Sequence, residues 1–287
     1  MAEEKVLVTG SSGALGRFVV DDLVAAGYQV VAADRVRAES SPEGVQAVSW
    51  DGRDVGVLAE AMTGCSALIH LAAIPQPVGK APEVVFTNNT AATFCALQAA
   101  AQVGITRAAI ASSVSAYGMP WSPRPTQALY VPIDESHPMR NYDPYGLGKE
   151  VDERTAQMFN RQYGMSVAAL RFHWIATREA QLERVAALRD DQDWDAQIRE
   201  LWSYIDVRDA ARACRLAIEA AAAQPYGFVP MHIVAADTLT DIPLVELLTA
   251  HAPGIEIREG LEGGHAAFTI DRAFEVIGWR PEHSWRD

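Results

Sequence analysis

Residues 143–149 read DPYGLGK, which sets Tyr145 and Lys149 at i and i+4. On a helix such a pair shares one face. A cation held near a phenol favours the phenolate, and that tyrosine can take a proton from an alcohol or return one to a carbonyl. Asp143 suits an N-cap and Pro144 the first helical position, so a helix should begin here. By itself the spacing is a loose pattern, better described by a tyrosine packed on a lysine stem. Upstream, IASSVSAYG puts Ser113 where an expected strand ends, so its hydroxyl is a second donor for a reacting oxygen. Together the three residues have the chemistry of proton transfer at a secondary alcohol or ketone.

A second constellation opens the chain. VTGSSGALG sets Gly10, Gly13 and Gly16 directly between an expected strand, KVLVTG, and an expected helix that closes on Gly27. One glycine makes the tight turn, one lets backbone approach a pyrophosphate, and one lets helix pack on strand. The helix N-terminus offers N–H donors and a positive dipole end to phosphate. The following strand ends in Asp34, 18 residues past Gly16, where a carboxylate can accept from both ribose hydroxyls and repel a 2′-phosphate. That favours NAD over NADP, although Arg35 beside it is a group that holds such a phosphate. Asp51, followed by Gly52, is a candidate for the adenine amino group; an Asp before Gly is also a plain turn.

These residues need a scaffold. From residue 5 to Phe172, short β-rich runs alternate with stretches of helical periodicity. This predicts an α/β fold, a doubly wound parallel sheet with right-handed crossovers. The division expected is 1–171 for the dinucleotide-binding part and 172–287 for a small substrate lobe interleaved with the last sheet elements. The segment 178–200 is strongly charged and reads as a solvated helix or a lid. Asp206 and Asp209 are expected to stabilise the helix that follows, and Trp279 to anchor the tail. A formal charge of -13 repels phosphate backbones, so neither nucleic acid nor an anionic membrane is an expected partner. Three scattered cysteines suit free thiols in a reducing compartment. The N-terminus has no basic or apolar signal region and no apolar run is long enough to span a bilayer, so a cytoplasmic location is expected. The seven histidines form no metal-ligand motif, and no metal is expected.

The chain resembles the extended short-chain dehydrogenase/reductases, the NAD-dependent epimerase/dehydratases, over nearly its whole length. The resemblance rests on TGSSGALG, Asp34, HLAA at 70–73, Asn89 in NNTAAT, SSVSAYG, YGLGK, YIDVRDAA and DRAFEVIGWRP. It implies a Rossmann domain with a small C-terminal substrate lobe and a homodimer built on the helices near 83–103 and 145–163. It implies that the glycine loop, with Ser12, Ala14 and Leu15, binds the pyrophosphate. Leu71, Ala72, Ala73 and Asn89 would then contact the cofactor and Lys149 the nicotinamide ribose, with Ser113 and Tyr145 acting on the substrate.

The departures bear on the reaction. Val114 and Ser115 stand where the dehydratases carry Asp-Glu, and Trp174 in RFHWIA stands where nucleotide-sugar epimerases carry Asn. LWSYIDV has Trp202 and Ser203 where those epimerases carry Arg-Asp, and 175–201 is short for a nucleotide-sugar lobe. Arg178 remains as a diphosphate handle. The trimmed lobe resembles family members that oxidise free sugars, notably uronate dehydrogenases. The leading expectation is an NAD-dependent dehydrogenase of a sugar-like small molecule, with Trp174 stacking on the ring and His173 bonding a hydroxyl or carboxylate; core packing for Trp174 and a satisfied, partly buried histidine for His173 are equal alternatives. The alternatives are a nucleotide-sugar 4-epimerase that retains NAD and a non-catalytic NAD-binding regulator.

Overall fold

The computed structural model describes residues 4–36, 43–190, 194–261 and 266–287. Its centre is a sheet of seven strands: β1 Lys5–Thr9, β2 Gln29–Asp34, β3 Val45–Ser49, β4 Ala67–His70, β5 Arg107–Ser113, β6 Ser166–Phe172 and β7 Phe228–Ile233. Every pairing is parallel and the spatial order is β7-β6-β5-β4-β1-β2-β3. The strand order reverses between β1 and β4, which opens a crevice at their carboxyl ends, the place where such sheets bind ligands.

Strand alternation divides the core into two apolar layers. Val6, Val8 and Ile69 face one layer with Val19 and Leu23 of α1 (Ala14–Ala25). The same layer takes Ala210, Cys214 and Ile218 of α7 (Val207–Ala223) and Ile277 of the tail helix Asp271–Ile277. Leu7 and Leu68 face the other layer, with Leu58 of α2 (Val55–Ala61), Ala96 and Leu97 of α3 (Pro82–Gln102), and Ala156 and Phe159 of α4 (Pro144–Tyr163). Helix α1 stops where the sequence expects, at Gly27, and α3 and α4 likewise end at glycines, Gly104 and Gly164; the three have φ of +89°, +78° and +68°.

A third apolar cluster gathers Val114, Tyr117, Ile198, Trp202, Leu247 and Phe268 beyond the strand ends. The charged stretch 178–200 contains two helices, α5 (Arg178–Asp190) and α6 (Trp194–Glu200), with 191–193 outside the described residues. They are not wholly solvated: Gln181, Val185, Gln197 and Ile198 are buried. Asp206 caps α7 by accepting from the Arg208 N–H at 2.9 Å. Asp209, fully buried, accepts from the N–H groups of Glu282 and His283, and the Trp279 indole donates to the Asp209 carbonyl. The tail is thereby tied to α7. Among the described residues no helix is long and apolar enough to cross a membrane.

Candidate active site

The glycine loop joins β1 to α1 at close quarters. A Cβ on Gly16 would lie 2.1 Å from the Gly10 carbonyl oxygen, and one on Gly10 would lie 2.7 Å from the Ala72 nitrogen. Both positions therefore exclude any side chain. Gly13 caps α1 with no side chain to satisfy the first-turn N–H groups. The loop is thus a cradle of backbone donors at a helix N-terminus, the arrangement that suits a pyrophosphate.

A cleft runs past this cradle in two chambers. The first, about 640 Å³, is lined by Gly10, Gly13, Ala14, Leu15 and Gly16 from the loop, and by Ser113, Tyr145, Lys149, His173 and Trp174. The second, about 400 Å³, takes Ser12, Asp34, Arg35, Trp50, Asp51, Gly52 and Ala72. Gly10, Gly13, Leu71 and Ala73 line both, so the two halves meet at the loop. Asp34 accepts from the Ser12 N–H at 3.0 Å and the Val36 N–H at 3.2 Å, which pins the end of β2 to the loop. Asp51 accepts from the Arg53 and Asp54 N–H groups, an Asx turn that nevertheless borders the chamber. An elongated, two-part cleft with a backbone anion cradle at its waist fits a dinucleotide.

Proximity of Tyr145 to Ser113 follows from local chain features. Asp143 caps α4, accepting from the N–H groups of Tyr145 and Gly146 at 2.9 and 2.8 Å. Gly146 lies so close to the turn after β5 that a Cβ would come 2.5 Å from the Ser115 carbonyl oxygen. The start of α4 therefore sits directly against the Ser113 turn. Ser113 itself accepts from the Ser115 N–H at 3.0 Å. The neighbouring Ser112 hydroxyl donates to Glu153 at 2.6 Å. Glu153 also receives Arg171 of β6 through two hydrogen bonds of 2.8 and 2.7 Å. Arg171 donates on to the Tyr117 hydroxyl, which pairs with His232 of β7 at 2.7 Å. This buried network locks α4, β5, β6 and β7 together beneath the site.

Lys149 is buried and donates to the Ala111 carbonyl at 2.6 Å, with its nitrogen 5.7 Å from the Tyr145 ring centre. Its other partner is Asp152, 3.5 Å away and equally buried. Burial pushes the Asp152 carboxyl up to about 6, opposed by the Lys149 charge and the nearby Thr93 hydroxyl. Thr93 contacts His70, whose other ring nitrogen meets Thr9 at 2.8 Å. Burial pulls His70 down to about 3, so it is neutral. A polar chain thus runs from the glycine-loop strand to Lys149 within the core.

The far end of the first chamber comes from late segments. His173 is buried and pulled down to about 4 by that burial. Its Nδ1 accepts from the Trp174 N–H at 2.7 Å, and the ring also bonds the Glu200 backbone, so it is a neutral wall held at both sides. Trp174 is 40% exposed and therefore not a core tryptophan. Two residues expected at the site lie elsewhere. Asn89 holds Ile74 through both backbone groups, at 2.8 and 3.0 Å, and its neighbour Asn88 borders the cleft instead. Arg178 begins α5 outside both chambers, and Arg184 borders the cleft. Sequence reasoning also missed Gln76, Trp121 and Glu200, which lie in segments without a motif.

Comparison with known proteins agrees with this geometry. The model of the NAD dependent epimerase/dehydratase family matches residues 6–229. The L-arabinose 1-dehydrogenase (NAD(P)(+)) of Haloferax volcanii is 27% identical over 86% of this chain and 94% of its own length. The UDP-glucose 4-epimerase of Azospirillum brasilense is 31% identical over 61% of this chain and 50% of its own. The chain thus spans about half the length of the curated epimerases it matches. A solved structure of a mutated uronate dehydrogenase superimposes with a TM-score of 0.69 at 19% identity, covering 99% of this chain and 83% of that one. The matched strand–loop–helix, the serine turn and the Tyr/Lys helix all fall within one family, and the chain belongs to the NAD dependent epimerase/dehydratase family.

Proposed function

We propose that the chain is an NAD-dependent dehydrogenase acting on a free sugar or a similar small secondary alcohol. The observation that carries this reading is the charge inventory of the substrate end. Among the described residues, the charged side chains lining the first chamber are Lys149, Arg184 and Glu200. Lys149 is engaged by Asp152 and Ala111, and Arg184 is paired with Glu200. A nucleotide sugar brings a diphosphate that needs cations beyond these. The relative that matches along almost all of its own length acts on a free sugar by its name.

The nicotinamide, when bound, supplies the hydride acceptor. Tyr145 is the general base that takes the hydroxyl proton of the substrate. Lys149, fixed by Ala111 and Asp152, stabilises the phenolate and offers its remaining N–H to a ribose hydroxyl. Ser113, oriented by its bond from the Ser115 N–H, donates to the same substrate oxygen. The glycine loop, Leu71, Ala72 and Ala73 hold the dinucleotide. Asp34 borders the chamber as an acceptor for ribose hydroxyls, which favours NAD over NADP even with Arg35 alongside. Val84 and Phe94 of α3 with Leu147 and Tyr163 of α4 are exposed, which supports a homodimer through these helices.

The test is NADH absorbance with purified protein, NAD and a panel of free sugars, uronic acids and small alcohols, beside UDP- and dTDP-sugars. Absorbance growth on a free compound, lost in Tyr145→Phe, is the expected result. Interconversion of a nucleotide sugar without NADH release would replace this reading with a 4-epimerase. Undiminished turnover in Tyr145→Phe would remove the tyrosine from its role.

A further inference from the structure

The substrate end of the cleft holds an ion pair whose acidic partner has no role in proton transfer. Arg184 Nη2 lies 2.9 Å from Glu200 Oε2, and both residues line the first chamber with Trp121, Trp174 and Gln76. Each of the two side chains remains about two-fifths exposed, at 41% and 40%, so both face the space a ligand would fill.

Neither residue sits on a loose loop. Arg184 is on α5, where the neighbouring turn is anchored by Gln181, buried and donating to the Ala176 carbonyl and to Asp206 at 2.9 and 3.1 Å. Val185 is buried beside it. Glu200 ends α6, and its carbonyl accepts from the Ser203 N–H at 3.1 Å and is bonded by His173. The next two residues, Leu201 and Trp202, have φ of +51° and +50° and are buried. Two successive side-chain-bearing residues in the left-handed region cost stability and persist only where the surroundings over-determine them. Trp202 is held by its indole bond to Gln197 at 2.8 Å and by the Leu239 N–H on its carbonyl. The fold thus commits a strained, well-anchored turn to the place where Glu200 meets Arg184.

An arginine alone at this position would draw a carboxylate or phosphate on the substrate. With Glu200 on it, the same position offers donors and acceptors but no net charge. We propose that Glu200 is a specificity-determining residue: it neutralises Arg184 and sets the cleft for uncharged polyhydroxylated sugars against sugar acids and sugar phosphates. Vicinal hydroxyls of a neutral sugar can accept from Arg184 and donate to Glu200. An anionic group must displace Glu200 or face it, and like-charge juxtaposition is strongly disfavoured. The inference rests on the free-sugar dehydrogenase reading and names its substrate class.

The test compares kcat/KM for sugar and uronate pairs that differ only at C6, D-galactose with D-galacturonate and D-glucose with D-glucuronate. It uses NAD and the full chain in wild type and Glu200→Gln. The wild type is expected to favour the neutral member at least about tenfold, and Glu200→Gln to move the ratio toward the uronate by about tenfold or more. The move should vanish in Glu200→Gln/Arg184→Gln. Arg184→Gln alone leaves the carboxylate without its counter-charge and should push the ratio further from the uronate, which keeps the test alive if Glu200→Gln does not fold. NADH growth with an unchanged ratio, or a wild type that prefers the uronate, overturns the role of Glu200 and leaves the dehydrogenase reading standing. No NADH from any free sugar overturns both.

Discussion

The two ends of the cleft are built from different materials. At the end proposed for the dinucleotide the principal groups are backbone: the first-turn amides of 14–16, close approaches that exclude a Cβ, and one carboxylate, Asp34, that itself binds the loop. At the substrate end they are side chains from separate segments: Trp121, Trp174, Arg184 and Glu200. Backbone sites are set by chain geometry and tolerate little variation, whereas a wall of side chains from separate segments can be exchanged without touching the sheet. One end is suited to a constant ligand and the other to a changing one.

That contrast can be broken most sharply in the middle, where the ends meet. Tyr145→Phe removes the proton-transfer group and should lower kcat by about 10²–10⁴-fold, while NAD titration by fluorescence changes little. An equal loss in NAD affinity would mean that the tyrosine serves the cofactor end rather than the chemistry. Gly16→Ala drives a methyl group into the Gly10 carbonyl and should weaken NAD binding by about a hundredfold or more, equally for every substrate. A change that varies with the substrate would dissolve the distinction. Asp34→Ala should lower the NAD to NADP preference by about tenfold, read as a ratio of kcat/KM. Trp174→Ala should raise KM for a ring-shaped substrate by about threefold to tenfold with little effect on NAD.

The smallest effect concerns the supporting core. His70, His173 and His232 are held near 3, 4 and 3, against an ordinary 6.5. Their neutral forms stabilise the fold fully above about pH 6.5, and that stability is lost as pH falls toward 4, because the unfolded chain binds the extra protons. Asp152 has the opposite sign. Its folded value of about 6 lies above the ordinary 3.8, so its contribution is present below about pH 4 and is lost as pH rises through 6. Urea unfolding at several pH values should therefore show a steeper fall between pH 6 and 4 in Asp152→Asn than in the wild type. Parallel curves would mean that Asp152 titrates normally.

Helix starts and stops were legible because Asp143, Pro144, Gly27 and Gly164 act on their own neighbours. The buried network of Ser112, Glu153, Arg171, Tyr117 and His232 was not, since its members come from four elements and the turn after β5, and no spacing in the chain announces them. Breaking the Arg171–Glu153 pair from one side should cost about 3–5 kcal/mol, yet neither residue stands out along the sequence. Asn89 illustrates the same limit. Its type and position suit a ligand contact, but three-dimensional packing turns its amide onto the Ile74 backbone.

The sequence by itself determined the alternating α/β order, the glycine cradle, the acid at the end of β2 and the helix that carries Tyr145 and Lys149. Each is a local matter of backbone freedom, hydrophobic period or capping, and each needs only residues within a few turns of one another. Only the tertiary structure decided that Arg184, and not Arg178, borders the cleft and that Glu200 neutralises it. It alone decided that Lys149 rests on Asp152, that His173 is a neutral wall and that Trp174 is open to the cleft. These depend on which distant segments the parallel sheet brings to its carboxyl edge, and on the burial that sets the charge of each group there.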